Sequence, residues 1–216
     1  TMLFETMATM PSYHDWYRST DQTKAYGQLK TTLKVLQWAR GPRQARWILK
    51  TPQHLEQFGP LMQIFPDATV VVTHRDPVSV TASTATMLSY LARLNTARPD
   101  PVRIGQYWSA RIETMLDACM RDRHLLPASQ SIDVRFDEFM ADDVAMVERI
   151  YAVADQPFTP SVRDAMAAFM ASHPRGRHGR VVYDLADFDL AYEERRAALA
   201  GYVERFGVAE EEPGAG

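Results

Sequence analysis

Arg75 follows directly on Ala68-Thr69-Val70-Val71-Val72-Thr73-His74, and Ser79 and Ser83 lie four residues apart just beyond it. Pro77 sits where a helix can begin, so the two serines share one face near its start. A guanidinium, a serine hydroxyl and the free N–H groups of a helix start together suit a phosphate. The plainer alternative is an Arg75–Asp76 surface pair with a serine cap. Two other segments put polar chemistry just after an apolar run: Lys50-Thr51 and Phe136-Asp137-Glu138. In open parallel sheets ligands lie beyond the carboxyl ends of the strands, so these three positions are the ones to weigh.

The elements that must hold them read as follows. Ser19 with Gln22 has the spacing of a capping box, and Tyr26, Leu29, Leu33 and Leu36 continue at helical period to about Arg40. Gly41-Pro42 stops that helix. Arg46 to Thr51 predicts a short strand ended by Pro52, and Leu55 to Phe65 a helix. The run from Ala68 to His74 predicts a strand apolar on both faces, the mark of a buried parallel sheet. Helices are predicted from Pro77 to about Asn95 and, after the break at Pro99-Asp100-Pro101, from Val102 to Arg123. Ile132 to Phe136 predicts a third strand, with helices following at Asp142–Ala154, Pro160–Met170 and Leu190–Phe206. Between the last two helices lies a basic, glycine-punctuated loop, His173 to Arg180. Strands separated by long helices imply an α/β fold with a parallel sheet and flanking helices.

Composition narrows the function classes. Of 216 residues, 46% are hydrophobic and 24% charged, which supports a packed core. Lys and Arg number 24 against 27 Asp and Glu, a net charge of −3 that argues against a nucleic-acid partner. No apolar run has the length of a membrane span. The single Cys119 excludes an intrachain disulfide and a multi-cysteine metal site, and the six histidines are scattered without ligand spacing, so no metal is expected. A cytoplasmic setting is the default expectation.

Taken in order, Trp47-Ile48-Leu49-Lys50-Thr51-Pro52-Gln53-His54-Leu55, Phe65-Pro66-Asp67-Ala68, the Arg75…Ser83 pair and Val134-Arg135-Phe136-Asp137-Glu138-Phe139 resemble the sulfotransferase superfamily, in particular its bacterial branch. The likeness runs from about Tyr13 to Phe206. It implies a P-loop NTPase-like fold and transfer of a sulfuryl group from 3′-phosphoadenosine 5′-phosphosulfate, without a metal, to a hydroxyl or amine of a small-molecule, lipid or glycan acceptor. In that resemblance Arg75 and Ser83 match the Arg and Ser that bind the donor's 3′-phosphate, and Phe136 falls where an aromatic residue lies near the adenine. The Arg175-Gly176-Arg177-His178-Gly179 segment resembles the loop that closes over the same phosphate, which makes Arg175, Arg177 and Gly179 donor-binding candidates.

Lys50 falls where the family has a lysine on the sulfuryl group or bridging oxygen, a cation placed for charge that grows in the transition state. The plainer alternative is a lysine snorkelling from a strand end. Cytosolic members carry Lys-Thr-His, whereas this chain has Lys50-Thr51-Pro52. His54, two residues on, is the candidate base; the alternative is that it packs the start of its helix. Golgi-type members also have Lys-x-Pro here and take a glutamate base from further upstream.

Residues 1–60 contain no Pro-Arg/Lys-x-Gly-Thr-Thr loop of the kind that grips the donor's 5′-phosphosulfate. The chain is therefore read as the carboxyl portion of a sulfotransferase with the N-terminal P-loop strand missing: a fragment, a split gene or a degenerate copy. Residues 1–208 are expected to form one partial domain and 209–216 a disordered acidic, glycine-bearing tail. A sheet lacking a neighbour leaves an edge that self-association or a partner chain would cover. The competing reading is a non-catalytic nucleotide-binding or interaction module that keeps only the 3′-phosphate half-site. A P-loop kinase relative fits less well, because no Gly-rich Lys-Ser/Thr loop is present.

Overall fold

The structure is a computed structural model and describes residues 3–41, 46–174, 179 and 182–211. The fold is α/β: two parallel strands and, among the described residues, ten helices. The chain groups into two units, residues 1–68 with 114–126, and residues 69–113 with 127–216.

The first unit is helical. It holds α1 (Leu3–Met7), α2 (Pro11–Ser19), α3 (Thr23–Ala39) and α4 (Phe58–Ile64). Tyr17, Tyr26, Leu33, Phe58 and Cys119 are buried at its centre. Lys30 reaches from α3 to donate to the Ile64 carbonyl at 2.8 Å, with its ammonium over the Phe65 ring. The expected capping box at Ser19 is not formed. Ser19 is the last residue of α2 and donates back to the Asp15 carbonyl, while Asp21 accepts from Thr23 N–H and the Gln22 amide donates to the Tyr17 and Thr20 carbonyls. The helix expected from Ser19 thus begins at Thr23 instead, after α2 has ended. Gly41, at φ +76°, follows the end of α3 as expected.

The strand expected over Arg46–Thr51 is also absent. A strand exists only where its N–H and C=O groups meet a neighbour, and this segment pairs with none among the described residues; Ile48 is 94% exposed. Thr51 caps a 3₁₀ turn at Pro52–Glu56, which separates from α4 what the sequence joins into one helix.

The second unit carries the sheet. β1 (Val70–His74) and β2 (Ser131–Arg135) run parallel, with Val70 opposite Ser131 and His74 opposite Arg135. Val72 and Val134 are buried, but Val71 and Thr73 are exposed, so β1 is covered on one face rather than both. Its helices are α5 (Pro77–Ala92), the first half of α6 (Pro101–Asp122), α7 (Phe136–Ala141), α8 (Asp143–Val153), α9 (Pro160–Ser172) and α10 (Tyr192–Phe206). Asp142 and Thr159 cap α8 and α9 through Ala145 and Val162 N–H. The short α7 replaces the end of the expected third strand, turning Phe136 out of the ladder.

α6 and the 3₁₀ turn at Leu185–Phe188 meet where Gly105 leaves room for the buried Phe188 ring. A Cβ at Gly105 would lie 2.4 Å from the Phe188 Cβ. Gly105→Ala is therefore expected to cost about 1–3 kcal/mol through overpacking, measured as a lower urea midpoint at unchanged slope.

Candidate functional site

The carboxyl end of β1 places three side chains in three different environments. His74 is buried, with Nε2 donating to the Asp133 carboxylate at 2.8 Å and Nδ1 lying 2.7 Å from the Tyr202 hydroxyl. Its ring stacks on Phe206 at 4.3 Å. The histidine thus ties both strands to α10, a role that its sequence position alone does not reveal.

Asp76 is 1% exposed and carries four contacts. It caps α5 by accepting from Val78 N–H at 2.9 Å, forms a bidentate pair with Arg196 at 2.9 Å on both arms, and accepts Glu211 N–H at 2.7 Å. Burial alone would raise its pKa, but Arg196 and the two N–H groups outweigh burial and hold the carboxyl below its usual range. The α5 start is thus capped by its own aspartate, with Pro77 contributing no N–H, rather than left free as the sequence suggests. Asp76 is also not the partner of Arg75.

Arg75 is half-buried and faces two groups. Its guanidinium carbon lies 4.4 Å from the centre of the Phe136 ring, a cation–π stack. Its Nε and Nη2 donate to the two carboxylate oxygens of Glu211, each at 2.6 Å. The Glu211 hydrogen bonds raise the Arg75 pKa further, so the side chain is a permanent cation. A cavity of about 30 Å³ adjoins it, lined by Phe136, Asp137, Ala209 and Glu211 among others. Glu211 arrives by a turn at Gly207, whose φ of +59° ends α10 in the left-handed conformation open to glycine. Read from the sequence as solvated tail, Glu211 is instead half-buried against Arg75; a run of Glu-Glu-Glu before Pro-Gly carries no signal of a partner so distant in the chain.

Ser83 is half-buried on α5, one turn beyond Ser79, and does not line that cavity. The structure therefore brings Arg75 and Phe136 together and leaves Ser83 further along the helix. Gly179 is described, at φ +88°, whereas Arg175 and Arg177 lie outside the described residues.

In the first unit Lys50 is exposed, immediately before the Thr51 cap. His54 is half-buried, with Nδ1 2.7 Å from the hydroxyl of Tyr26 on α3. Burial lowers the His54 pKa and raises that of Tyr26, so the pair is neutral near pH 7. A phenol O–H is a stronger donor than an imidazole N–H, so the arrangement expected is the tyrosine hydroxyl donating to Nδ1 with the imidazole proton on Nε2. Base chemistry at Nε2 requires the other tautomer, with Nδ1–H donating to Tyr26. Tyr26 was legible in the sequence only as a core position of α3.

No group of His, Cys, Asp or Glu among the described residues is arranged to hold a metal ion. No described helix is long and apolar enough to cross a membrane. A separate apolar groove of about 500 Å³ runs along α8 and α9, with Val147, Met166, Phe169 and Met170 in its walls.

The model of a family described as the sulfotransferase family matches residues 1–160. The crystal structure of sulfotransferase STF9 from Mycobacterium avium superposes with a TM-score of 0.84 at 25% identity, covering 100% of this chain and 54% of that one. Sulfotransferase STF1 from Mycobacterium tuberculosis H37Rv gives a TM-score of 0.75 at 27% identity, covering 93% of this chain and 51% of that one. The chain thus spans about half the length of these solved structures. No curated protein matches it.

Two outcomes test the local chemistry. Asp76→Asn should lower the unfolding free energy by about 3–5 kcal/mol by removing the buried charge that pairs with Arg196 and accepts two backbone N–H groups. Because the folded-state pKa of Asp76 lies below the unfolded one, its contribution is complete above about pH 4 and fades as pH falls through the folded value. The gap between parent and variant in chemical denaturation should narrow over that range. For His54, ¹⁵N shifts of the imidazole near pH 7 should report the Nε2–H tautomer, and Tyr26→Phe should release that preference.

Proposed function

Since the chain belongs to the sulfotransferase family, we propose that it serves sulfuryl transfer from 3′-phosphoadenosine 5′-phosphosulfate to a hydroxyl or amine acceptor, and that its second unit supplies the donor's 3′-phosphate half-site. The observation that carries this reading is Arg75 itself. A guanidinium at the carboxyl end of a parallel strand, stacked on an aromatic ring and presenting its Nε–Nη2 edge to a bidentate anion, is built for a phosphate-like group. Phe136 would hold the guanidinium plane by its ring face. Ser83, and the Arg175, Arg177 and Gly179 loop, are assigned to the same phosphate by the family motif.

In the proposed reaction the acceptor oxygen or nitrogen attacks sulfur in line, the bond from sulfur to the bridging phosphate oxygen breaks, and 3′-phosphoadenosine 5′-phosphate leaves. Lys50 is assigned to the charge that grows on that oxygen, an interaction stronger in the transition state than in the ground state. The acceptor's proton goes to a base, for which His54 is the candidate in its Nδ1–H tautomer. The role for Lys50 comes from the family motif, whereas His54 lies two residues beyond the motif's histidine position, which Pro52 fills. The acceptor, which we take to be a small molecule, and a cytoplasmic location belong to the same proposal, as does a partner chain or second copy at the sheet edge.

The second reading, a nucleotide-binding module without turnover, draws on the His54–Tyr26 hydrogen bond, which engages the candidate base at Nδ1. Both readings require Arg75 to bind the nucleotide. Arg75→Ala should therefore weaken 3′-phosphoadenosine 5′-phosphate by about 10- to 150-fold in calorimetric titration, the worth of one charge-assisted contact. An unchanged affinity removes the phosphate assignment and both readings with it.

A further inference from the structure

We propose that Glu211 is a resident counter-anion of the Arg75 seat, and that a phosphomonoester dianion binds there by displacing the Glu211 carboxylate. The inference rests on the phosphate reading of Arg75 and adds how the site is regulated and which anions it admits.

The guanidinium is committed on two sides: its face lies on Phe136, and its Nε–Nη2 edge is filled by Glu211. That edge is the fork a phosphate would use, so carboxylate and phosphate exclude one another. The adjoining cavity of about 30 Å³ has room for roughly one water and none for a phosphate group while Glu211 is in place.

The segment bearing Glu211 is anchored independently of its carboxylate. Gly207 turns the chain back from α10, Val208 is buried, and Glu211 N–H donates to Asp76. The side chain can therefore swing away by rotation about its own bonds while the backbone stays fixed. Asp137 lines the same cavity, and Glu210 lies 3.8 Å from Arg196. An incoming anion meets these carboxylates. A monoanion merely repeats the charge of Glu211 and gains little by exchange, whereas a dianionic monoester brings an extra charge to the guanidinium. The seat thus favours phosphomonoesters over diesters and free carboxylates.

Glu211→Gln keeps the shape and removes the charge, so calorimetric titration with 3′-phosphoadenosine 5′-phosphate should show affinity tightened by about 5- to 50-fold, the reciprocal of the fraction of sites that the latch leaves open. In the unsubstituted chain the Glu211 side-chain carboxyl ¹³C resonance should move on saturation with the nucleotide, a readout that needs no variant to fold. Unchanged or weaker binding by Glu211→Gln, or a Glu211 resonance that does not move at saturation, overturns the exchange. If Arg75→Ala loses the nucleotide while Glu211→Gln gains nothing, the exchange alone falls. If Arg75→Ala binds as the parent does, or if neither the parent nor Glu211→Gln binds at all, the phosphate reading falls first.

Discussion

The second unit depends on one buried carboxylate. Asp76 begins α5, neutralises Arg196 of α10 and holds the backbone of Glu211, so a single side chain fastens strand exit, two helices and the returning segment. A carboxylate removed from water is tolerable only when its charge and its lone pairs are met. Here two guanidinium N–H groups and two backbone N–H groups meet them. Arg196 is further held by the Tyr192 hydroxyl one turn earlier on α10. Because the clamp is directional, it sets where the chain points after β1, and so where the adjacent guanidinium must emerge.

That constraint explains why Arg75 and Asp76, neighbours in sequence with opposite charges, do not pair with each other. Asp76 is drawn inward by the helix start and Arg196. Arg75 is left at the rim, where an aromatic ring and an anion meet its two surfaces. His74, one residue earlier, faces the interior and joins both strands to Tyr202. Three consecutive residues thus divide into a link between strands and α10, a partner for a carboxylate, and a helix cap.

What could be read beforehand follows the range of the forces involved. α5 from Pro77, α8 with its Asp142 cap, and the two β-branched strands were legible because their signals lie within a few residues. Motif order singles out Arg75 and Phe136 separately, but it pairs Arg75 with Ser83 and gives no sign of the Arg75–Phe136 stack. Arg46–Thr51 was misread because apolar alternation reports a willingness to extend and not the presence of a ladder neighbour. The Ser19–Gln22 spacing misleads because Ser19 closes α2 and gives its hydroxyl to the Asp15 carbonyl instead of opening the next helix. Glu211, Arg196 and Tyr202 were silent: their partners lie 136, 120 and 128 residues away, and nothing local marks them. Tyr26 beside His54 was hidden for the same reason.

The parallel ladder also shapes how this unit assembles. Strand neighbours Asp133 and His74 are 59 residues apart in the chain, so joining them closes a long loop at an entropic cost of about 3.6 kcal/mol before a constant term. Helices α5, α8 and α9 need no such closure and can flicker into being locally. The ladder must therefore wait for distant segments to meet, which slows assembly relative to helices that form from local contacts alone.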